Sequence, residues 1–132
     1  MGSSHRYLLD TSVFLWAGGD TGRLSRTARD GLLQPEAKRY VSVVSVWEMQ
    51  IKHSQGKLPL PERADSLAAR FATALRCEVL GLTMQHIARL YDLQAFHRDP
   101  FDRILVAQAL AEGLTILSPD PLLRSYPAQI LW

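Results

Sequence analysis

The chain has 132 residues, 47% of them hydrophobic, which is enough for one buried core but too few for two ordinary domains. The net charge of +2 is too small to argue for nucleic-acid binding by long-range attraction alone. The sequence contains no apolar run long enough to span a bilayer, and its single cysteine excludes an internal disulfide and a thiolate metal cluster. We therefore expect one soluble, cytoplasmic domain over residues 6–132, with residues 1–5 as an extension or a tag remnant.

Short apolar strands alternate with helices in the first half of the chain. The apolar run at 7–9 predicts a strand, and a helix over 11–17 follows it and ends at two glycines. A short amphipathic helix over 24–33 precedes a β-branched strand over 40–44, after which a helix runs over 45–54.

The same alternation continues in the second half. The extended segment GKLPLP precedes two amphipathic helices, over 64–75 and 84–91, with a candidate strand over 78–80 between them. The segment HRDPFDRILVAQALAEG predicts a helix buried on most faces that Gly113 ends, followed by a strand over 115–117 and a terminal apolar QILW. This order predicts an α/β fold, a three-layer α/β/α sandwich with a mostly parallel central sheet.

Four acidic residues are candidates for a shared site, and all but Asp102 lie close behind the carboxyl end of a predicted strand. They are Asp10 at the end of the first strand, Glu48 one turn into the helix after the second strand, Asp102 at the start of the buried helix, and Asp120 behind the strand at 115–117. Because ligands of open parallel sheets bind outside the carboxyl ends of the strands, these acids can converge although they are far apart in sequence. Their convergence would form a candidate catalytic site.

Each acid taken alone also has a structural interpretation as a helix cap. Ser45 and Glu48 match a capping box, and Asp10 could cap the first helix. Asp99 and Asp120 each precede a proline, as capping residues often do. Capping does not require several helices to present their acids at one edge of one sheet, so the joint pattern favours function.

A cluster of carboxylates needs a cation to hold its members ionised, because they otherwise repel one another and take up protons. Oxygen ligands favour Mg²⁺ or Mn²⁺, since zinc sites normally contain His or Cys and the sequence has no HxxxH or CxxC pair. His97 lies near the proposed site, but a single histidine beside Arg98 is more typical of a surface residue.

Five segments resemble, in order, the motifs of the PIN-domain ribonucleases, specifically the VapC-type toxins of bacterial toxin and antitoxin pairs. They are YLLDTSVFLWA, VSVVSVWEMQIK, GKLPLP, HRDPFDRILVAQALAEG and LSPDPLLRSYPAQILW, and they cover nearly the whole chain. The resemblance implies an endoribonuclease that cleaves single-stranded or loop RNA and is neutralised by a cognate VapB-type antitoxin inserting a segment at the acidic groove. It also implies a homodimer, for which an apolar face of the 64–75 helix is the first candidate interface.

The resemblance implies roles for individual residues as well. The catalytic acids are Asp10, Glu48, Asp102 and Asp120, with Mg²⁺ or Mn²⁺ held chiefly by Asp10 and Asp102. The motif HRDPFDR offers two aspartates, and the acid leading into ILVAQA selects Asp102, which leaves Asp99 as a cap or a supporting residue. Two hydroxyls, those of Ser12 and Ser118, are placed to orient ligands or water.

Basic residues near the acids are candidates to hold the RNA backbone. They are Lys52, Lys57, Arg98 and Arg103. For Lys52 the alternative is an ion pair with Glu48 one turn earlier, and for Arg103 it is a structural ion pair with Asp102.

Two other classes of protein remain open at this point. A receiver-like signalling domain also places aspartates around Mg²⁺ at strand ends, but it needs a lysine at a late strand end, and the last lysine here is Lys57. A catalytically silent PIN domain used for binding has no need of four acids, and all four are present.

Overall fold

The computed structural model describes residues 5–94 and 99–132, and this part of the chain forms a parallel sheet with helices on both faces. Residues 1–4 of the proposed extension, together with His97 and Arg98, lie outside it. The strands are β1 (Arg6–Leu9), β2 (Lys38–Ser42), β3 (Cys77–Leu80), β4 (Thr115–Leu117) and β5 (Ile130–Leu131). The helices are α1 (Thr11–Gly18), α2 (Arg26–Leu32), α3 (Val43–Ser54), α4 (Ala64–Leu75), α5 (Met84–Arg89) and α6 (Pro100–Glu112), and short 3-10 helices lie at Thr21–Arg23, Leu90–Asp92 and Pro121–Ser125.

The strand order β3-β2-β1-β4-β5 places β1 at the centre of the sheet, and every neighbouring pair is parallel. The register sets Leu9 of β1 beside Val41 of β2 on one side and Leu117 of β4 on the other. The chain builds outward from β1 to β3 and then returns to the other side of β1 for β4 and β5. A crevice suited to ligands forms at such a reversal, outside the carboxyl ends of β1 and β4.

Two hydrophobic cores fill the space on either side of the sheet. Side chains alternate along β1, so Leu9 enters the core formed with α1 to α4, whereas Leu8 enters the core formed with α6. Helix α5 packs on α6. The three-layer α/β/α arrangement predicted from the alternation of elements is therefore confirmed.

Helix α6 is buried on most faces, as its nearly continuous apolar sequence predicts. Residues 105–109 are all buried, so neither side of this stretch faces solvent. The helix ends at Gly113, whose φ of 69° is a left-handed conformation that glycine adopts without steric cost.

The boundary between β2 and α3 differs from the prediction. The strand ends at Ser42 rather than continuing to 44, because the Ser42 hydroxyl accepts a hydrogen bond from the Val44 amide at 3.0 Å and caps α3. The predicted capping box of Ser45 and Glu48 is therefore wrong. Ser45 lies inside the helix, with its hydroxyl buried and without a partner among the described residues.

The apolar face of α4 is used inside the chain and is not available as the dimer surface suggested by the sequence. Leu67 on that face is 1% exposed. Large exposed apolar side chains lie around α5 instead, where Met84 is 81% and Tyr91 is 93% exposed. Within the described ranges, no helix has the length and apolar content that crossing a bilayer requires.

Candidate active site

Asp10 lies at the carboxyl end of β1, next to the point where the sheet order reverses. Its amide donates to the Leu117 carbonyl at 3.1 Å, and its Oδ1 accepts from the Val13 amide at 2.8 Å, which caps α1. The expected capping role is therefore present. The residue is also buried, at 8% exposure, which an ordinary surface cap is not.

Ser118 connects Asp10 to the loop after β4. Its hydroxyl donates to the Asp10 carboxylate and accepts from the Asp120 amide at 3.1 Å. Ser118 is completely buried, so its hydroxyl is shielded from water. The hydroxyl that the sequence suggests as an orienting group contacts the β1 aspartate directly.

The electrostatic environment of Asp10 shows that the acids lie near one another. Burial, together with the smaller effect of the negative charges of Glu48 and Asp120, raises the pKa of Asp10 from 3.8 to about 6, against hydrogen bonds from Ser118 and Val13 that lower it. The surrounding groups therefore do not fully offset the cost of ionising the buried Asp10 carboxyl. A cation in the cleft would relieve that cost.

Glu48 projects from α3 with both carboxylate oxygens engaged. The Thr11 hydroxyl donates to Oε1 at 2.6 Å, and the Lys52 ammonium donates to Oε2 at 2.6 Å. The ion pair considered as the alternative for Lys52 is therefore present. Sequence reasoning missed Thr11, although a hydroxyl residue directly behind the β1 aspartate is the signal that could have identified it.

The remaining acids lie at the starts of two helical turns. Asp99 caps α6 by accepting from the Phe101 amide at 2.9 Å, and Asp102 lies in the first turn of that helix. Asp120 accepts from the Leu122 amide at 3.0 Å. Capping thus occurs at the same places where the acids approach one another.

One cleft of about 250 Å³ collects these side chains at the carboxyl edge of the sheet. It contains all four acids predicted as catalytic, and Asp99 shares it, so the geometry does not separate Asp99 from Asp102. The predicted Ser12 also faces the cleft. The complete lining is Asp10, Thr11, Ser12, Glu48, Lys52, Asp99, Asp102, Pro119 and Asp120.

The candidate RNA-binding residues differ in whether they line this cleft. Lys52 lines it. Lys57 is exposed just beyond α3, and the Arg103 guanidinium donates to two backbone carbonyls within residues 90–93, at 3.5 and 3.4 Å. Arg98 lies outside the described residues. Of the candidates that the structure describes, Lys52 is the one that faces the acids.

An aromatic contact joins α3 to α6 beside the cleft. Trp47 and Phe101 directly precede two of the acids in sequence, and their rings meet edge to face with 5.3 Å between centroids. This contact helps to fix the distance between Glu48 on α3 and Asp102 on α6.

The oxygen atoms in the cleft are of the type that binds a hard divalent cation, but in this structure they are not positioned around one common point. Carboxylate and hydroxyl oxygens are the ligands that Mg²⁺ and Mn²⁺ prefer. Within residues 5–94 and 99–132, however, no three His, Cys, Asp or Glu side chains stand ready to hold a metal ion. Binding through three of the acids would therefore require some of them to reorient, and Glu48 could become a ligand only by loosening its contacts with Thr11 and Lys52.

A larger groove of about 410 Å³ lies away from the acids. Its lining is mostly apolar, with Leu24, Leu32 and Leu33 among its residues, and it includes no acidic side chain from the described part of the chain. It therefore lacks the groups that hydrolysis would need, and the smaller acidic cleft is the candidate active site.

Comparisons with known proteins agree with this fold. The chain matches the PIN domain family over residues 7–128. It is similar in structure to VapBC2 from Rickettsia felis, bound to a DNA fragment from its promoter, with 16% identity and a TM-score of 0.71 over 95% of this chain and 96% of that one. It is also similar to DNA-bound VapBC from Salmonella typhimurium (19% identity, TM-score 0.70) and to VapBC-1 from nontypeable Haemophilus influenzae (15% identity, TM-score 0.64), each covering 95% of this chain and 96% of the other. No curated protein sequence matches the chain, and at these identities the structural likeness establishes the fold alone.

Proposed function

This chain belongs to the PIN domain family, and we propose that it is a metal-dependent endoribonuclease, a VapC-type toxin that hydrolyses phosphodiester bonds in single-stranded or loop RNA. The observation that carries this proposal is the single cleft in which acids from β1, α3, α6 and the loop after β4 meet. Helix capping accounts for the position of Asp10, Asp99 and Asp120 one at a time. It gives no reason for Glu48, which caps nothing, to be buried among them.

The acids would divide the work of holding a metal ion and a water molecule. Asp10 and Asp102 would be the principal ligands of Mg²⁺ or Mn²⁺, and Glu48 and Asp120 would complete the set. A divalent ion held there supplies positive charge that activates water for in-line attack and stabilises charge on the phosphoryl oxygens. Ser118 holds the Asp10 carboxylate in orientation, and the helix starts favour its ionised form.

The positive groups around the cleft would position the RNA. The Lys52 ammonium is close enough to the acids to donate to a phosphate oxygen beside them. Lys57, Arg98 and Arg103 are proposed as further backbone contacts. For Arg103 this requires its guanidinium to leave the carbonyl groups it contacts in this structure.

We further propose a VapB-type antitoxin as partner, since the similar structures are VapBC complexes. The acidic cleft would accept a basic segment of that antitoxin, which would exclude both metal and RNA. We place this pair in the cytoplasm, where a single unpaired thiol is ordinary. A homodimer would cover the exposed apolar side chains around α5, including Met84, Ile87 and Tyr91.

The strand order excludes a receiver-like domain. Receiver domains have the strand order 2-1-3-4-5, whereas this sheet runs β3-β2-β1-β4-β5. The second candidate function is a PIN domain that binds RNA without cleaving it. The acids and the cleft allow binding in both cases, so only a cleavage assay separates the two.

The test is a cleavage assay with end-labelled single-stranded RNA and a fully paired duplex of the same sequence. Purified protein is incubated with each RNA in millimolar Mg²⁺ or Mn²⁺, and in EDTA. We expect discrete fragments from the single strand in either metal, no fragments in EDTA, and no fragments from an Asp10→Asn variant under any condition.

The Asp10→Asn variant is a matched control because it changes one oxygen to an amide nitrogen and keeps a residue that caps helices equally well. Identical fragments from the wild type and this variant would reveal a contaminating nuclease. Binding of the single strand without cleavage, in both metals, would favour the silent binding domain.

A further inference from the structure

Lys52 is a cation already present in the cleft. Its ammonium lies 2.6 Å from Glu48 Oε2, on a carboxylate whose side chain is only 7% exposed, while the lysine side chain is 46% exposed. Among the described residues that line the cleft, Lys52 is the basic one. Exposed ion pairs one helical turn apart contribute little to stability, but this pair is partly buried and lies at the centre of a group of acids.

The charges around Lys52 favour its positive form. Its pKa is raised by the hydrogen bond to Glu48 and, beyond that, by the charges of Glu48, Asp99 and Asp102, against burial that lowers it. A lysine is protonated at neutral pH in any case, and Lys52 interacts with acids on both α3 and α6.

We propose that Lys52 acts as a resident counter-cation: it holds Glu48 in the metal-free protein and competes with the divalent ion for the cleft, so that Lys52 sets the affinity of the site for metal. This inference rests on the proposed function, because it assumes that the acids bind a divalent ion. The placement of the acids supports it. Glu48 is turned to Lys52, and the described acids include no group of three placed to hold an ion, so an ion that takes Glu48 as a ligand has to draw it away from the lysine.

The size of the effect follows from Coulomb's law. A single positive charge about 5 Å from a divalent ion raises the ion's dissociation constant by roughly tenfold when the screening is that of water. Removing the charge of Lys52 should therefore tighten metal binding by about that factor. If Lys52 instead served only to orient Glu48 as a ligand, removing it would weaken metal binding, so the two roles predict opposite signs.

The experiment measures Mn²⁺ binding to the full chain without RNA, by the loss of the electron paramagnetic resonance signal of free Mn²⁺. Four proteins are compared: wild type, Lys52→Met, Lys52→Arg and Lys38→Met. Lys38 is exposed at the start of β2, at the opposite edge of the sheet, so its replacement removes the same charge far from the acids. We expect about tenfold tighter binding for Lys52→Met and values within twofold of wild type for the other two variants.

Equal or weaker binding by Lys52→Met, with wild-type binding intact, overturns the role of Lys52 and leaves the proposed nuclease untouched. The same tightening in Lys38→Met also overturns it, since net charge would then be the cause. If the wild type binds no Mn²⁺, both the inference and the metal dependence of the proposed function are wrong. Circular dichroism melts in EDTA verify that each variant is folded before binding is compared.

Discussion

Replacing Asp10 with Asn should stabilise the metal-free protein at neutral pH, although it removes a principal acid of the proposed site. Burial raises the pKa of Asp10 to about 6, so at pH 7.5 the folded chain contains an ionised carboxylate in a poorly solvated place. Asparagine has almost the same shape, carries no charge, and caps helices about as well as aspartate. The cap on Val13 should therefore remain while the electrostatic cost disappears.

The magnitude follows from the difference between the two pKa values. A carboxyl whose pKa is higher in the folded state binds more protons there, so its contribution to stability is complete below the unfolded pKa and is lost as pH rises through the folded pKa. Between 3.8 and about 6, at about 1.4 kcal/mol per pKa unit, that loss is about 3 kcal/mol. We expect Asp10→Asn to exceed the wild type by up to that amount at pH 7.5 and to differ little from it near pH 4.

The assay is urea unfolding of both proteins in EDTA at several pH values from 4 to 8. Taking the difference between the two free energies of unfolding at each pH cancels the titration of all other groups. Adding millimolar Mn²⁺ should then reverse the order at pH 7.5, because an ion that binds only the wild-type folded state stabilises that state.

A difference that stays flat from pH 4 to pH 8 in EDTA would refute the reasoning, since it would mean that Asp10 titrates at its ordinary pKa. A variant less stable than the wild type at pH 7.5 would refute it as well. In that case the hydrogen bonds to the carboxylate would outweigh its burial.

Two further predictions concern the acids at α6 and the packing of α1. Asp102→Asn should abolish RNA cleavage with little change in stability. Asp99→Ala should lose about 1 kcal/mol of stability because a helix cap is removed, and it should retain measurable cleavage. Urea unfolding and the RNA assay separate these effects, and complete loss of cleavage in Asp99→Ala would show that Asp99 is the third catalytic acid. Gly18→Ala should destabilise the protein by roughly 2 kcal/mol because its Cβ would lie 2.2 Å from the ring of Phe71. Gly81→Ala is the control, since none of the described residues beyond its chain neighbours lies within 4 Å of the added Cβ, and equal thermal shifts in the two variants would contradict the steric explanation.

The features of the fold that rest on periodicity could be predicted from the sequence. Strand β4 begins and ends at the predicted residues, and α4 covers the predicted range, because unbroken apolar runs and helical spacing survive in any packing arrangement. The convergence of acids from four elements was also predictable, since parallel strands end at one edge of a sheet. The side chains that each acid contacts could not be predicted from the sequence.

The errors arose where two local signals competed. Val43 and Val44 favour strand, and both Ser42 and Ser45 can cap a helix, so the sequence allows either serine to start α3. In the structure Ser42 caps α3 by accepting from the Val44 amide, a choice that no local pattern reveals. The hydroxyl of Thr11 was missed for the same reason: its partner Glu48 is 37 residues away.

The position of β4 between β1 and β5 determines when the site can exist during synthesis. Strand β1 is made well before two partners of Asp10, because the amide of this residue bonds to Leu117 and its carboxylate to Ser118, which lie far later in the chain. A growing chain that has not reached these residues leaves one edge of β1 open and lacks Asp120 altogether. The cleft can therefore assemble only after residues 117–120 have been synthesised, and a chain that stops before them would lack the proposed site.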